Sequence, residues 1–178
     1  MLTDEFNRDL EAREGRVALT MQSTHSRRAV LGFLLGCAAT PALAAASALP
    51  PLKVFKTPWC GCCSAWIDRM RAAGFTKVSI IEIEDLSPTR RRLRIPDRYA
   101  SCHTAQIQGY ALEGHVPPAD VRKLLIQRPV AAGLAVPGMP VGSPGMEAAG
   151  GRRDAFDTLL VLKSGGVRPF TRYARSPG

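Results

Sequence analysis

The pattern of apolar and polar residues predicts one α/β domain that begins near residue 52. Short runs rich in β-branched and aromatic residues indicate strands, whereas apolar residues at every third or fourth position indicate helices with one buried face. In chain order, the predicted elements are a strand at 52–56, a helix at 62–73, a strand at 78–83, a helix at 87–93, strands at 104–108 and 110–113, a helix at 116–127 and a later strand at 158–163. The order of the first seven, β-α-β-α-β-β-α, is typical of one small mixed sheet flanked by helices.

The composition of the chain changes in its last third. Residues 136–146 are dense in proline and glycine, which predicts a loop with a restricted backbone, and they contain Met139 and Met146. We therefore divide the predicted domain into a core at 52–128 and a C-terminal extension at 129–178.

Residues 1–44 are separable from this domain and resemble an export signal. Arg27 and Arg28 precede a short apolar run, and the segment ends at Ala44 with an A-x-A pattern. The apolar run is too short to cross a bilayer as a mature helix. We predict export to the periplasm by a twin-arginine-like or general secretory signal, cleavage after Ala44 and a short tether at 45–51.

Two alternatives concern the same N-terminal segment. Met21 is an alternative start, because residues 1–20 are charged and precede any signal-like feature. Residues 34–37 resemble a lipoprotein box, which would leave Cys37 acylated at a new N-terminus and anchor the protein to a membrane. The apolar run before Cys37 is short, so cleavage after Ala44 is the favoured interpretation.

The chain is basic, with a formal net charge of +9, and many of its arginines lie in residues 90–98. No aromatic residue interleaves these arginines to stack on bases, and export argues against contact with nucleic acid, so we expect no nucleic-acid partner. We interpret the run as a solvated helix face. Contact with an anionic membrane surface or with an acidic partner is left open.

The placement of the cysteines indicates a functional site rather than a disulfide scaffold. Of the five cysteines, Cys60, Cys62 and Cys63 fall within four residues, just before the first predicted helix. A domain of this size does not need disulfide bonds for stability, and a disulfide scaffold distributes its cysteines along the chain. Unpaired backbone N–H groups and the helix dipole at a helix start favour thiolate. Because thiolate both attacks disulfides and binds soft metals, two chemistries are open at this motif.

Residues 59–63 resemble the thioredoxin active-site sequence W-C-G-P-C, with Cys62 in place of the proline. Together with the element order, this resemblance implies a thioredoxin-like fold. It implies that Cys60 is the exposed reactive thiol and Cys63 its buried partner. Cys62 has no redox counterpart in thioredoxin, so we interpret it as an added metal ligand.

The loop at 101–104 extends this comparison. Thioredoxin-like proteins place a cis-proline loop here, against the active-site cysteines, but this chain has Cys102 and His103 and no proline. The resemblance therefore implies that both side chains face the cysteine loop. Four sulfurs and an imidazole suit Cu(I) or Zn(II). For His115, which follows a glycine at the start of a predicted helix, we expect a surface or capping role.

The two loop methionines favour copper over zinc. Loops run over surfaces, so methionines in a proline- and glycine-rich loop are poorly placed to fill a core. Thioether is a weak ligand for Zn(II) but suits Cu(I). The predicted metal ligands are Cys60, Cys62, Cys63, Cys102, His103, Met139 and Met146.

Four separated segments resemble the CopG-type periplasmic copper-resistance family, long catalogued as a domain of unknown function. The segments are 60–63, 100–104, 113–117 and 133–146. The resemblance implies a thioredoxin-like domain whose C-terminal extension completes a cysteine-bridged copper site. It also implies a role in copper tolerance through interconversion of Cu(I) and Cu(II).

Three functions are compatible with these residues. The favoured one is a periplasmic protein that holds one or more Cu(I) ions and exchanges metal or electrons with periplasmic copper-export or redox proteins. The second is a thiol–disulfide oxidoreductase that uses Cys60 and Cys63, although a metal or a bond to Cys62 would trap the attacking thiol. The third is a structural zinc protein, which would leave the methionine loop unexplained. Whether the protein is a copper-dependent oxidoreductase is left open.

Overall fold

A seven-stranded mixed sheet forms the centre of the computed structural model, which describes residues 48–178. The strands are β1 (Leu52–Lys56), β2 (Val78–Glu82), β3 (His103–Ile107), β4 (Tyr110–Gly114), β5 (Gly133–Val136), β6 (Phe156–Val161) and β7 (Val167–Tyr173). Their order across the sheet is β2-β1-β3-β4-β5-β6-β7. β1 pairs with β2 and β4 with β5 in parallel, and the other neighbours are antiparallel. The predicted mixed α/β architecture is confirmed.

Three α-helices accompany the sheet in the described part of the chain. They are α1 (Gly61–Ala72), α2 (Ser87–Arg92) and α3 (Pro118–Gln127). Single-turn 3-10 helices lie at Asp97–Tyr99 and Ala149–Gly151. Helix α3 begins two residues later than predicted, because Pro117 takes the extended N-cap position and Pro118 starts the helix. The first seven elements follow the predicted β-α-β-α-β-β-α order.

The main core lies between one face of the sheet and helices α1 and α3. Trp66 and Met70 from α1 and Leu124 from α3 are fully buried there, against strand residues such as Leu112 and Leu134. These helical positions are the apolar ones that the spacing in the sequence marks as a buried face. The start of α1, which carries the cysteines, is thereby fixed against the sheet.

Strand β5 was not predicted. Its four residues are all buried, and they include Gly133 and Ala135, which have low strand propensity. A Cβ atom at Gly133 would lie 1.8 Å from the carbonyl oxygen of Ala111, so only glycine allows β5 to approach β4 this closely. Pairing with β4 and β6, rather than local sequence, specifies this strand. As a result, strands β5 to β7 of the C-terminal extension continue the same sheet as the core.

The N-terminal predictions lie outside the described residues. They comprise the export signal at 1–44, the alternative start at Met21 and the acylation site at Cys37. Of the predicted tether, residues 48–51 are described and lead directly into β1. Within the described range, no helix is long and apolar enough to cross a membrane.

Candidate metal centre

The cysteines and histidines meet at one end of the sheet, which we call the cluster end. In the antiparallel pairing of β1 with β3, Lys56 lies opposite His103. The end of β1 and the cysteine loop that follows it are therefore beside the start of β3. In the β3–β4 hairpin, Thr104 pairs with Glu113, so the end of β4 and His115 also reach this place. Three chain segments that are distant in sequence thus converge because of strand register.

Sulfur atoms from the cysteine loop, from Cys102 and from Met139 in the loop after β5 are in contact. The Sγ atom of Cys62 lies 3.6 Å from Sγ of Cys60, 3.7 Å from Sγ of Cys102 and 3.7 Å from Sδ of Met139. The Sγ atoms of Cys60, Cys62, Cys63 and Cys102 all lie within 4.8 Å of one another. The structure therefore brings Cys102 to the cysteine loop, and Cys62 is the centre of the group.

Cys60 and Cys63 form a disulfide, whereas Cys62 and Cys102 are free thiols. Cys63, in the first turn of α1, is fully buried. Cys60, at the N-cap of α1, is half-buried. A disulfide sulfur cannot act as a thiolate ligand. A site that uses all four cysteines therefore requires this disulfide to be reduced.

Two imidazoles complete the group. Sγ of Cys102 lies 3.4 Å from Nδ1 of His103 and 3.1 Å from Nε2 of His115. His115 is fully buried, so the expected surface or capping role is wrong. Its Gly-His-Val-Pro context looks like a helix entry, but the residue directly follows strand β4, which ends at Gly114. The hairpin register, counted from the Gln108-Gly109 turn, is the signal that would have placed it beside His103.

Burial sets the protonation of both imidazoles. Burial, together with the neighbouring His115, lowers the pKa of His103 to about 3, and burial lowers the pKa of His115. Both rings are therefore neutral at neutral pH, which is the form that binds metal. The Nδ1–H group of His115 donates to the carbonyl oxygen of Pro144 at 2.8 Å. That hydrogen bond leaves the lone pair of Nε2 directed at the Cys102 sulfur.

The Cys102 thiol lacks a compensating charge. Burial and the neighbouring Cys62 raise its pKa to about 12. Cys102 is therefore a protonated thiol at neutral pH, in contrast to the general expectation of thiolate in the cysteine cluster. A bound cation would compensate the thiolate charge and release the proton. Metal affinity at such a site depends on the exchange of a proton for a metal ion.

The donors present fit a soft metal ion. Nε2 of His103 is buried and has no hydrogen-bond partner among the described residues, although buried polar atoms are normally paired. Its ring packs between the ring of Trp66, with centroids 4.3 Å apart, and the ring of His115, at 5.3 Å. An imidazole that is packed in place beside a thiol and has an unpaired ring nitrogen is typical of a metal ligand.

The methionine loop has different roles at its two ends. Met139 is 49% exposed and its Sδ atom contacts Cys62, whereas no sulfur contact from Met146 to the cluster is present in the described structure. The backbone of Met146 instead closes the loop, donating to Ser143 at 2.8 Å and accepting from Gly142 at 2.7 Å. A ligand role for Met146 stays a prediction.

The same loop packs directly on α1. A Cβ atom at Gly145 would lie 2.6 Å from the backbone nitrogen of Trp66, and Gly145 has φ +88°, so both space and conformation require glycine. Glu147, two residues on, accepts an ion-pair hydrogen bond from Arg69 of α1 at 2.8 Å. The loop that supplies Met139 and the Pro144 carbonyl is thus fixed against the helix that carries the cysteines.

A buried carboxylate supports the Cys102 loop. Glu113 is fully buried and accepts hydrogen bonds from the Ser101 backbone N–H at 2.7 Å and from the Thr104 hydroxyl at 2.6 Å. These two donors flank Cys102 and His103. Glu113 therefore fixes the backbone that presents both side chains, although it contacts no sulfur itself. The sequence offered no pattern that would identify this role.

These features define a mixed α/β protein with a cysteine–histidine cluster able to bind a metal ion. A family model described as a protein of unknown function, DUF411, matches residues 99–146, the part that runs from Cys102 to Met146. A solved structure of a copper resistance protein, CopG, form 1, is 42% identical with a TM-score of 0.66, covering 73% of this chain and 99% of its own. Form 2 has the same identity and TM-score, with 70% and 98% covered. No curated protein matches significantly. The chain belongs to the CopG family of copper resistance proteins.

Proposed function

We propose that this protein is exported to the periplasm, binds Cu(I) in the Cys/His/Met cluster and contributes to copper tolerance. The observation that carries the proposal is the contact of Cys62 with both Cys102 and Met139, each at 3.7 Å between sulfur atoms. Thiolate and thioether together form a soft donor set, and the thioether favours Cu(I) over Zn(II). Membership of a family named for copper resistance supports the choice of metal.

The number of donors supports binding of more than one ion. Around Cys102 lie three further cysteine sulfurs and two imidazoles, and Met139 adds a thioether. A single ion requires about four ligands or fewer. Thiolates shared between ions would let the cluster hold several Cu(I) ions.

The cluster is accessible from solvent. Cys60, Cys62, Cys102 and Met139 line an open cleft of about 510 Å³. Two exposed acidic residues, Glu84 and Asp85, also line it, together with the half-buried Arg90, whose charge is paired with Asp97 and Glu113. The negative charge of Glu84 and Asp85 favours the approach of cations, and the exposed thioether of Met139 is the first soft donor that an arriving ion would meet. Transfer from periplasmic copper-binding or copper-export proteins would take place through this cleft.

The Cys60–Cys63 pair supports a redox role in the same proposal. Closing the disulfide from two thiols releases two electrons and two protons, the number of electrons that reduces two Cu(II) ions to Cu(I). The protein would thereby convert Cu(II) into the form that its soft donors bind. An external thiol reductant, small-molecule or protein, would restore the dithiol.

Metal titration tests the copper assignment. Reduced protein, titrated anaerobically with Cu(I) against a chelator of known affinity, should retain copper, and Zn(II) should not displace it. Failure to compete with the chelator would refute the copper proposal. If Zn(II) displaced Cu(I), the zinc alternative would replace it.

A separate experiment tests the redox step. Reduced protein mixed with Cu(II) without oxygen should yield Cu(I) as the Cys60–Cys63 disulfide forms, with two Cu(I) for each disulfide. A Cys63→Ser variant should yield no disulfide-linked Cu(I), whereas Arg71→Gln, on the exposed face of α1, should behave as the unmodified protein.

Thiol–disulfide exchange with protein substrates is the second candidate, and the closed Cys60–Cys63 disulfide at a helix start favours it. The position of Cys62 argues against it, because its sulfur lies 3.6 Å from that of Cys60 and would compete with a substrate thiol. Metal-free reduced protein should therefore reduce insulin negligibly. Turnover comparable to thioredoxin would establish this second function instead.

A further inference from the structure

The end of the sheet opposite the cluster is strongly basic. The β3–β4 turn, the start of β5 and the β6–β7 turn meet there, about 15 Å along the strands from the cluster end. Three clefts at this place are lined by basic side chains and, within the described residues, by no carboxylate. The basic residues are Arg92, Arg94, Arg122, Arg128 and Lys163. We call this surface the basic end.

The charges of the basic end are not neutralised within the domain. All five side chains belong to exposed residues, and none forms an ion pair with any carboxylate in residues 48–178. Exposed like charges placed together repel one another, so the arrangement is unfavourable unless an anion is bound. The basic end is therefore suited to a ligand with several negative charges.

Two aliphatic side chains project from the same surface. Ile126 and Val130 are each 82% exposed, and they flank Arg128 in sequence. Both line clefts of the basic end. An isolated phosphate or nucleotide would leave them in water. A ligand that has an apolar interior beneath a charged surface would bury both aliphatic side chains.

The backbone of the basic end is strained in a consistent way. Arg94, Gln108 and Arg128 have φ angles of 61°, 46° and 46°, and they are the non-glycine residues with positive φ in the described chain. All three line these clefts. Left-handed backbone is unfavourable for side chains with a Cβ atom, and it concentrates at functional sites. Here it holds two arginines at helix ends, Arg94 after α2 and Arg128 at the C-cap of α3, where glycine would be less strained.

The chain also enters the domain at this end. Ala48, Leu49 and Pro50 line the same cleft as Ile126 and Arg128. The segment that precedes β1 therefore joins the domain beside the basic end. The cysteine cluster lies at the opposite end of the strands.

We propose that the basic end docks on an anionic membrane surface. Arg92, Arg94, Arg128 and Lys163 contact lipid phosphates, and Ile126 and Val130 enter the boundary between headgroups and acyl chains. Basic groups spread over three separate shallow clefts fit a plane of phosphates better than one compact acidic patch on a protein. Docking in this orientation leaves the metal centre facing water, where metal exchanges.

Vesicle flotation with the full chain tests the proposal. The protein should bind vesicles of phosphatidylglycerol and phosphatidylcholine, bind phosphatidylcholine vesicles weakly, and dissociate as salt is raised. Each basic residue near an anionic surface contributes about fivefold in affinity, so Arg92→Gln combined with Lys163→Gln should weaken binding on the order of 25-fold. Ile126→Gln combined with Val130→Gln should also weaken it.

A matched control removes the same charge at the other end of the sheet. Arg152, which precedes β6, and Arg175, which follows β7, are both exposed. Because β6 begins and β7 ends at the cluster end, both arginines lie towards that end. Arg152→Gln combined with Arg175→Gln should leave vesicle binding as in the unmodified chain. Residues 1–47 are identical in all of these proteins, so their contribution to binding is the same throughout. Equal binding by the basic-end and control variants would overturn the proposal.

A local probe gives a second, independent readout. In a Val130→Trp variant, the new indole should shift its emission to shorter wavelength with anionic vesicles and be quenched by brominated acyl chains. The exposed Trp59, at the cluster end, provides the reference signal in the unmodified chain. Absence of a shift on vesicle binding would overturn the proposal. Equal occupancy of the basic end by inorganic phosphate, without preference for vesicles, would replace the membrane by a soluble phosphate ligand.

Discussion

The sulfur of Cys102 lies 3.1 Å from Nε2 of His115, whose Nδ1 atom lies 2.8 Å from the carbonyl oxygen of Pro144. The hydrogen bond to Pro144 fixes the tautomer in which Nε2 carries the lone pair. A carbonyl in the C-terminal loop therefore orients an imidazole at the end of β4 towards a thiol before β3. Through this contact, Pro144 of the C-terminal extension holds an imidazole of the cluster in its orientation.

We predict that His115→Ala weakens Cu(I) binding by at least tenfold. The substitution removes a neutral imidazole that faces the Cys102 sulfur, and even residues that only orient ligands contribute 10- to 100-fold in affinity. Competition titration with a Cu(I) chelator measures the change, and far-ultraviolet circular dichroism checks the fold. Unchanged affinity in a folded variant would exclude His115 from the metal site.

We predict that reduction of the Cys60–Cys63 disulfide increases the amount of Cu(I) bound. The oxidised protein offers two free thiols, Cys62 and Cys102, and the reduced protein offers four. Metal analysis after desalting, with and without a phosphine reductant, measures the difference. In a Cys60→Ser and Cys63→Ser double variant, the reductant should make no difference. Equal copper content in both states of the unmodified protein would contradict this interpretation.

The sequence predicted the main parts of the site for a physical reason. Clustered cysteines between a strand and a helix are typical of a functional loop, and the resemblance to thioredoxin implied that Cys102 lies beside that loop. His115 was misinterpreted because its position depends on the register of the β3–β4 hairpin, which local sequence does not specify. Glu113 was missed for a similar reason, since a glutamate in a strand gives no sign of being buried.

In the C-terminal region, too, local sequence does not specify the structure, and here this affects a whole strand. Strand β5 contains glycine and alanine and acquires its strand structure by pairing on both sides. Residues 137–146 form the loop that proline and glycine content predicted, because those residues restrict the backbone locally, whereas Val136 of the predicted range belongs to β5. Which of its two methionines contacts the cysteines depends on how the loop packs against α1. That packing is a tertiary property.

We predict that Met139→Leu weakens Cu(I) binding severalfold and leaves Zn(II) binding unchanged. Leucine preserves the volume of the side chain but lacks the sulfur that contacts Cys62, and thioether is a poor ligand for Zn(II). Met146→Leu is the matched comparison, and its effect should be smaller because its sulfur has no contact with the cluster in the described structure. A larger effect at Met146 would show that the loop rearranges when metal binds.

We predict that Glu113→Ala destabilises the metal-free protein by about 3 kcal/mol, because the Ser101 N–H and the Thr104 hydroxyl lose a buried acceptor. Glu113→Gln keeps the shape and one acceptor oxygen, so it should cost about 1 kcal/mol. Urea unfolding monitored by circular dichroism measures both values. If the two substitutions destabilised the protein equally, the carboxylate charge rather than its hydrogen-bond geometry would be the decisive property.

We predict that Asp120→Ala destabilises the protein by about 4 kcal/mol and unfolds the C-terminal strands together with the core. Asp120 of α3 is buried and accepts hydrogen bonds from the hydroxyls of Thr158 at 2.6 Å, Thr171 at 2.7 Å and Tyr173 at 2.9 Å. Its loss leaves donors from β6 and β7 unpaired.

Tyr173→Phe is the graded control for Asp120, since it removes one of the three donors and should destabilise the protein by about 1.5 kcal/mol. Burial, with the nearby Asp120, raises the pKa of Tyr173, so its hydroxyl remains a donor across the neutral range. Hydrogen exchange measured by mass spectrometry distinguishes the two outcomes. If β6 and β7 lost protection while β1 and β3 kept theirs, the extension would be a separate folding unit. Loss of protection throughout the sheet is the result that one continuous seven-stranded sheet requires.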